Sequence, residues 1–181
     1  MKLIYQNESW ELLQDKTSCK IASCLPAVLV IEGEEISMTE TAGADNQIQY
    51  EYEGIRVVDS FYPEPDGLVR IERKIVNNRE RRCRIKSIFQ VQTEFKPTHY
   101  LMPGVNYNGN EFGGNNVPTG LIRDGQPWVM AYDRSGIPSC TLSEDTEVGL
   151  ALFASIKDEK SLRSSGSMYQ NAEGKMIHRI F

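Results

Sequence analysis

The sequence predicts an all-β protein, an antiparallel β-sandwich of two sheets, from three observations. Most segments alternate apolar and polar residues with a period of two, as strands with one buried face do. The short segments between them are rich in the glycine, proline, asparagine and aspartate of tight turns. Helical periodicity is brief and confined to residues 8–16 and 158–166, which we expect to form short amphipathic turns. Many strands without intervening helices are typical of one sheet packed on another.

The strand pattern is clearest in four segments, residues 47–54, 67–78, 81–95 and 147–155. In the second of these, alternate positions are chiefly apolar and the intervening ones are mostly charged, which favours an antiparallel strand with one buried face. Turns are predicted between the strands, at residues 32–34, 42–46, 62–67 and 76–82.

Residues 96–127 interrupt this pattern with four prolines, six glycines and five asparagines. Loops longer than about 15 residues are uncommon inside a compact domain and are usually functional or disordered. Tyr100, Tyr107 and Phe112 are interspersed through the segment, and this aromatic content favours an ordered loop. After it, residues 127–136 predict a strand whose aromatic and Met side chains share one face and belong to the core.

With 181 residues, the chain is in the usual size range for one domain, so residues 1–181 are predicted to form a single β-sandwich. Residues 174–181 have the pattern of a strand that stops as it begins, whereas natural termini are usually more polar. We therefore expect the chain to be a fragment of a larger protein that continues beyond Phe181.

The composition excludes several classes of function. The formal net charge of −5 leaves no basic surface for nucleic acid or an anionic membrane. No apolar run approaches the roughly 20 residues of a membrane-spanning helix. The first residues lack the apolar core of a secretory signal, which predicts a cytoplasmic protein.

The four cysteines occur without a CxxC pair, so no zinc module is predicted. Reduced, half-buried thiols that act as small hydrophobic side chains are the expectation for a cytoplasmic protein. A disulfide between Cys19 and Cys24 remains the alternative.

The residues that commonly catalyse reactions occur without a recognisable motif. His99 and His178 stand outside any nucleophile or metal motif, and we expect both to face solvent; a Cys-His pair formed by the fold is the alternative. Three close carboxylate pairs lie at predicted turns, where solvated charges explain them better than glycoside hydrolysis: Glu34 with Glu35, Glu64 with Asp66, and Glu144 with Asp145. The sequence therefore predicts no catalytic residue and no cofactor.

The asparagine-rich stretch 106–116 is the most distinctive feature of the sequence. Its alternating asparagines resemble the start of a calcium loop, but the aspartates and distal glutamate are missing, so no metal is predicted. Side-chain amides pair with vicinal hydroxyls and aromatic rings stack on sugars, which makes carbohydrate the predicted ligand. The candidate binding residues are Asn106, Tyr107, Asn108, Asn110, Glu111 and Arg123. Asparagine and glycine that only shape the backbone remain an equally good interpretation.

Residues 103–121 and 127–145 together resemble the large β-sandwich that precedes an (α/α)6 barrel in six-hairpin glycosidases. That sandwich is itself similar to the galactose mutarotase supersandwich, and residues 67–78 resemble one of its recurrent strands. The resemblance spans about residues 55–155. It implies a non-catalytic domain, inactive alone, that packs on a downstream helical catalytic domain of a glycoside hydrolase-like protein and contributes to carbohydrate recognition. The His, His, Glu set of the mutarotases is not matched here.

Other functions remain open at this point. The chain could be a free-standing module that binds carbohydrate or another protein through the same loop. A sugar epimerase would need a converging acid and base that the sequence does not offer. Truncation could also leave an apolar face bare, in which case the fragment would pair as a homodimer.

Overall fold

A computed structural model describes residues 2–6, 9–14, 19–44, 46–65, 68–101, 128–131, 140–153 and 165–180. These residues form sixteen strands and no helix, which confirms the predicted all-β, sandwich-like fold. The strand pairs with a defined register are antiparallel, as the sequence predicts. The chain divides into two compact units, Met1–Phe89 and Gln90–Phe181, and the division falls within one strand, β10.

The first unit contains nine strands and the beginning of a tenth. The first group is β1 (Lys2–Gln6), β2 (Ser9–Leu13) and β3 (Lys20–Cys24), which pair in that order. The second group is β4 (Val28–Ile31) with β5 (Glu34–Ser37) on one side and the start of β10 (Ile85–Thr93) on the other. The third is a four-stranded sheet of β6 (Thr39–Ala44), β7 (Gln47–Tyr52), β8 (Ile55–Pro63) and β9 (Val69–Asn77).

Two Glu-Gly turns set the register of this unit. Glu32 and Gly33 have φ angles of 52° and 100°, and Glu53 and Gly54 have 43° and 79°. Positive φ at both central residues is the requirement of a type I′ turn, whose twist matches that of the paired strands. The turns join β4 to β5 and β7 to β8.

The core of the first unit lies on the inner face of β8 and its neighbours. Ile55, Val57, Asp59 and Phe61 alternate with more exposed positions along β8, and all four are buried. Apolar side chains of β4 and β7 pack in the same cluster. Every second residue of β8 therefore faces the core, although one of them is an aspartate.

The second unit contains two sheets. One has the order β10, β16 (Met176–Ile180), β15 (Ser165–Gln170) and β12 (Trp128–Ala131), and the other has the order β11 (His99–Leu101), β13 (Cys140–Glu144) and β14 (Gly149–Phe153). The β15–β16 turn is closed by Asn171, whose Oδ1 accepts bonds from the backbone N of Glu173 and of Lys175, both at 3.0 Å. Asparagine side chains commonly mimic a turn in this way.

Two local expectations are tested by these elements. Residues 9–13 form β2 rather than a short amphipathic turn, because pairing with β1 and β3 satisfies the backbone on both sides and overrides a weak local preference. The strand expected at 174–181 is confirmed by β16.

The segments near the long loop are described only in part. The predicted loop 96–127 contains β11 near its start, and residues 102–127 lie outside the described residues. The strand expected over 127–136 is present as β12, with residues 132–136 outside the description. Of 158–166, only Ser165 and Gly166 are described, and both belong to β15.

The cysteines agree with the reduced state expected from the sequence. All four are free, so the alternative disulfide between Cys19 and Cys24 is not formed. Cys24, Cys83 and Cys140 are half-buried as expected, whereas Cys19 is exposed. Among the residues that the structure describes, no helix is long and apolar enough to cross a membrane.

We expect Phe61→Ala to lower the free energy of unfolding by about 3–5 kcal/mol, because the ring is fully buried and its loss leaves a cavity. Urea unfolding measures this change. Leu68→Ala is the control, since Leu68 is 47% exposed and its truncation should cost less than about 0.5 kcal/mol. Equal effects of the two variants would contradict the position of the core.

Candidate functional site

The predicted carbohydrate-binding residues lie outside the described residues, but both ends of their segment are defined. Asn106, Tyr107, Asn108, Asn110, Glu111 and Arg123 fall between β11 and β12. The structure therefore neither brings these side chains together nor separates them. It shows how the chain on either side of them is anchored.

Each end of the segment is part of an antiparallel ladder in the second unit. In β11, His99 lies opposite Glu144 and Leu101 opposite Leu142 of β13. Just before β11, the backbone N of Thr98 donates to the carbonyl of Glu144 at 2.9 Å. At the other end, β12 pairs with β15 over its whole length. The two anchors belong to different sheets of this unit.

A buried histidine connects those two sheets. His178, on β16, lies between two hydroxyl groups of β13: its Nδ1 is 2.7 Å from Thr141 Oγ1 and its Nε2 is 2.7 Å from Ser143 Oγ. All three residues have no exposed surface. We refer to Thr141, Ser143 and His178 as the histidine bridge.

The burial of His178 corrects the expectation that both histidines face solvent. Met176, Ile177, His178 and Arg179 are all buried, so side chains on both faces of β16 are inside the protein. A strand covered on both faces loses the simple alternation of apolar and polar residues. His99, in contrast, is exposed as expected. His178 does not form a Cys-His pair, because its two ring nitrogens are hydrogen-bonded to hydroxyl groups.

Burial keeps the imidazole neutral. Removal of the ring from water lowers the pKa of His178 to about 4, against a smaller opposing effect of a hydrogen bond to the backbone of Thr141. A neutral imidazole donates from one nitrogen and accepts at the other, and a hydroxyl can complete either bond. The bridge therefore satisfies both ring nitrogens without any buried charge.

The contact between Ser143 and His178 has the spacing of a nucleophile and its base, but its surroundings differ from those of a hydrolase. In a Ser-His-Asp triad, a carboxylate binds Nδ1 and stabilises the imidazolium. Here Nδ1 meets the Thr141 hydroxyl, and Ser143 has no surface that a substrate could reach. The arrangement joins two sheets, and we assign it a structural role.

The histidine bridge thus completes a continuous connection between the two ends of the 102–127 segment. From one end, β11 pairs with β13, and the bridge joins β13 to β16. From the other, β12 pairs with β15, and β15 pairs with β16. A path that includes the buried His178 side chain therefore links the two ends of the segment.

The first unit contains a second buried polar group, a bidentate ion pair between β8 and β9. Arg73 Nε donates to Asp59 Oδ1 and Nη2 to Oδ2, both at 2.6 Å. Nη1 donates to the carbonyl of Ile88 at 2.6 Å and to Ser87 Oγ at 3.0 Å. The Asp59 side chain is only 1% exposed and that of Arg73 is 11% exposed. The guanidinium therefore also ties β9 to β10.

This ion pair also affects its neighbours. Burial, with a smaller contribution from the charge of Asp59, raises the pKa of the Cys24 thiol to about 12, and Arg73 opposes the shift. Burial and then the charge of Asp59 likewise raise the pKa of Tyr50. Both groups stay protonated near neutral pH, and a protonated thiol is a poor nucleophile.

Sequence reasoning did not identify the ion pair, although a signal was present. Asp59 occupies an apolar-parity position of β8, between Val57 and Phe61, and Arg73 occupies the same kind of position in β9. A charge on the buried face of a strand requires a partner. When two neighbouring strand segments each carry such a charge and the signs are opposite, an ion pair between the two side chains is expected.

The three carboxylate pairs behave as solvated or turn-forming charges where they are described. Glu34 and Glu35 are both exposed on β5. Asp145 Oδ1 accepts bonds from the backbone N of Glu147 and of Val148, at 2.7 and 2.9 Å, and these bonds lower its pKa. Glu64 pairs with Arg70, and Asp66 lies outside the description. Within the described ranges, no group of three metal-binding side chains converges.

No protein-family model matches this chain, and no curated protein or solved structure shows significant similarity to it.

Breaking the buried ion pair should be costly. We expect Asp59→Ala to lower the free energy of unfolding by about 3–5 kcal/mol, because it leaves the Arg73 charge buried without its counter-charge. The double variant Asp59→Leu, Arg73→Met removes both charges and should lie within about 2 kcal/mol of the wild type. Urea unfolding of all three proteins measures both values. A double variant less stable than Asp59→Ala would contradict this account.

The histidine bridge should make stability depend on pH. The pKa of His178 is about 4 in the folded protein and 6.5 in its ordinary state, so between these values the unfolded chain binds the proton first. The free energy of unfolding therefore falls as the pH decreases from 6.5 to 4, by roughly 3 kcal/mol from this residue. The measurement is urea unfolding across that range.

Two variants isolate this contribution. His178→Gln should remove this part of the pH dependence, in addition to lowering stability near neutral pH. His99→Gln is the matched control, because His99 is exposed, and it should leave the pH dependence as in the wild type. If His178→Gln kept the full wild-type slope, a neutral buried imidazole would be ruled out.

Proposed function

We propose that this chain is a non-catalytic β-sandwich domain of a glycoside hydrolase-like protein. In this proposal the 102–127 segment contributes to carbohydrate recognition, and the domain packs on a helical catalytic domain of the same protein. Asn106, Tyr107, Asn108, Asn110, Glu111 and Arg123 are the proposed contacts to the sugar. The free thiols are compatible with a reducing compartment, and we propose the cytoplasm.

The observation that supports this proposal best is the anchoring of the segment. Its two ends are strands of different sheets, and the histidine bridge connects those sheets. A segment with fixed ends loses less conformational freedom on binding than one with free ends. Binding residues are commonly placed on loops that a rigid scaffold positions.

The composition of the segment matches sugar chemistry. An asparagine amide donates and accepts at once, as two neighbouring sugar hydroxyls require. A tyrosine ring offers an apolar face for stacking and a hydroxyl for a hydrogen bond. Asn106, Tyr107 and Asn108 supply both kinds of group within three consecutive residues.

Three sets of buried polar groups support a non-catalytic role for the domain. Ser143 and His178 are shielded from solvent. Asp59 and Arg73 neutralise each other inside the first unit. The Cys24 thiol is protonated at neutral pH. The histidine bridge and the ion pair join strands, and the protonated Cys24 thiol is a poor nucleophile.

We expect the 181-residue chain to bind carbohydrate, and Asn108→Ala to weaken that binding by roughly tenfold, because one amide that contacts hydroxyls is lost. Calorimetric titration with a panel of neutral oligosaccharides of glucose, galactose, mannose, xylose and rhamnose measures the affinity. Asn78→Ala is the matched control, since Asn78 is an exposed asparagine in a turn of the first unit. It should bind as the wild type does.

Three other results would argue against the proposal. Failure of the whole panel to bind at millimolar concentration would favour a protein-interaction module. Equal weakening by Asn108→Ala and Asn78→Ala would move the binding site elsewhere. Hydrolysis or epimerisation of any sugar by the purified chain would show that the domain is itself catalytic.

A further inference from the structure

Among the residues that the structure describes, β14 is an edge strand that contains no charged side chain or proline. It pairs with β13 on one side, and no strand of the described chain pairs with its other side. The edge strands β1, β5, β6 and β9 each contain a lysine, glutamate or arginine. Charged side chains on an edge discourage pairing with another molecule. Gly149–Phe153 contains neither a charged residue nor a proline.

The solvent side of β14 is apolar as well. Gly149, Ala151 and Phe153 are exposed, while Leu150 and Leu152 on the other face are half-buried. The Phe153 side chain is 54% exposed, more than the other exposed large hydrophobic residues that the structure describes. A free ladder edge and an exposed ring therefore occur on the same short strand. The other edge strands without a lysine, arginine, aspartate or glutamate are β11 and β12, which are shorter, with three and four residues.

We propose that β14 pairs with the β14 of a second copy of this chain, antiparallel, around a two-fold axis at Ala151. In this register Ala151 lies opposite its own equivalent, and Leu150 lies opposite Leu152 of the other copy. Gly149 then lies opposite Phe153 of the other copy. The two three-stranded sheets join into one sheet of six strands without an exposed β14 edge.

The side chains of β14 suit this register. A large ring directly opposite a glycine covers the backbone that the glycine leaves bare, a pairing that stabilises edge glycines in sheets. Two such Phe–Gly pairs form, one on each side of the axis. On the inner face, the leucines of the two copies meet and extend the apolar layer that the half-buried leucines already form.

Charge also selects the antiparallel arrangement. Three acidic residues lie just before β14: Glu144 at the end of β13, and Asp145 and Glu147 in the turn that follows it. Parallel pairing would place the two acidic turns side by side, whereas antiparallel pairing puts them at opposite ends of the joined strands. Each copy carries a formal charge of −5, so two copies repel in general. The repulsion between two copies is weakest where their uncharged β14 strands meet.

The length of the strand predicts the strength of the dimer. Five residues on each side bury less than the roughly 1,200 Å² of a standard stable interface. The dimer should therefore be weak and reversible, with a dissociation constant of about 10 μM to 1 mM.

Sedimentation of the full 181-residue chain across that concentration range tests the proposal. The wild type should shift from monomer to dimer as concentration rises. Ala151→Lys places two positive charges opposite each other at the axis and should raise the dissociation constant by roughly tenfold or more. Ala172→Lys is the matched control, since Ala172 is exposed in the β15–β16 turn and distant in the ladder from β14. It should dimerise as the wild type does.

A charge swap keeps the test independent of any folding defect. Ala151→Glu should also be monomeric alone, but an equimolar mixture with Ala151→Lys should dimerise again, because opposite charges then meet at the axis. Recovery in the mixture would support pairing through β14. A wild type that stays monomeric at the highest concentration, an Ala151→Lys variant that dimerises normally, or a mixture that remains monomeric would each overturn the proposal.

Discussion

Side-chain contacts join the two sheets of the second unit, and the two hydrogen bonds of His178 are the buried polar part of that junction. Backbone ladders hold each of its two sheets together, but side-chain interactions must join one sheet to the other. The imidazole does this by bonding Thr141 and Ser143 of β13 from its place on β16, at 2.7 Å on both sides. Because β13 also pairs with β11, this single residue influences the strand that leads into the 102–127 segment.

The two units stabilise their buried polar groups in different ways. In the first unit, Asp59 and Arg73 are both charged, and two parallel hydrogen bonds neutralise them within the sheet. In the second, a group that is often charged stays neutral because burial lowers its pKa to about 4. The ion pair requires the desolvation of two charges. The neutral histidine does not, but it makes the folded protein less stable at acidic pH. Both fix the alignment of neighbouring strands, since each polar group must meet a specific partner.

The sequence predicted the strands well because their apolar periodicity is local. Residues 47–54 and 67–78 show alternation that depends only on which face is buried, and the strands β7 and β9 lie within them. β2 was missed because its pairing with β1 and β3 comes from the fold and not from its own residues. His178 was missed for a similar reason, since Thr141 and Ser143 are far from it in sequence. The asparagine-rich segment remains a prediction from composition, with only its ends described.

The histidine bridge couples the strands that bound the 102–127 segment. Hydrogen exchange of the backbone amides, measured for wild type and His178→Gln at neutral pH, tests this coupling. We expect faster exchange in β11 and β13 of the second unit, with the ladder of β8 and β9 in the first unit unchanged. Unchanged exchange in β11 and β13, in a variant that has lost the bridge, would contradict it.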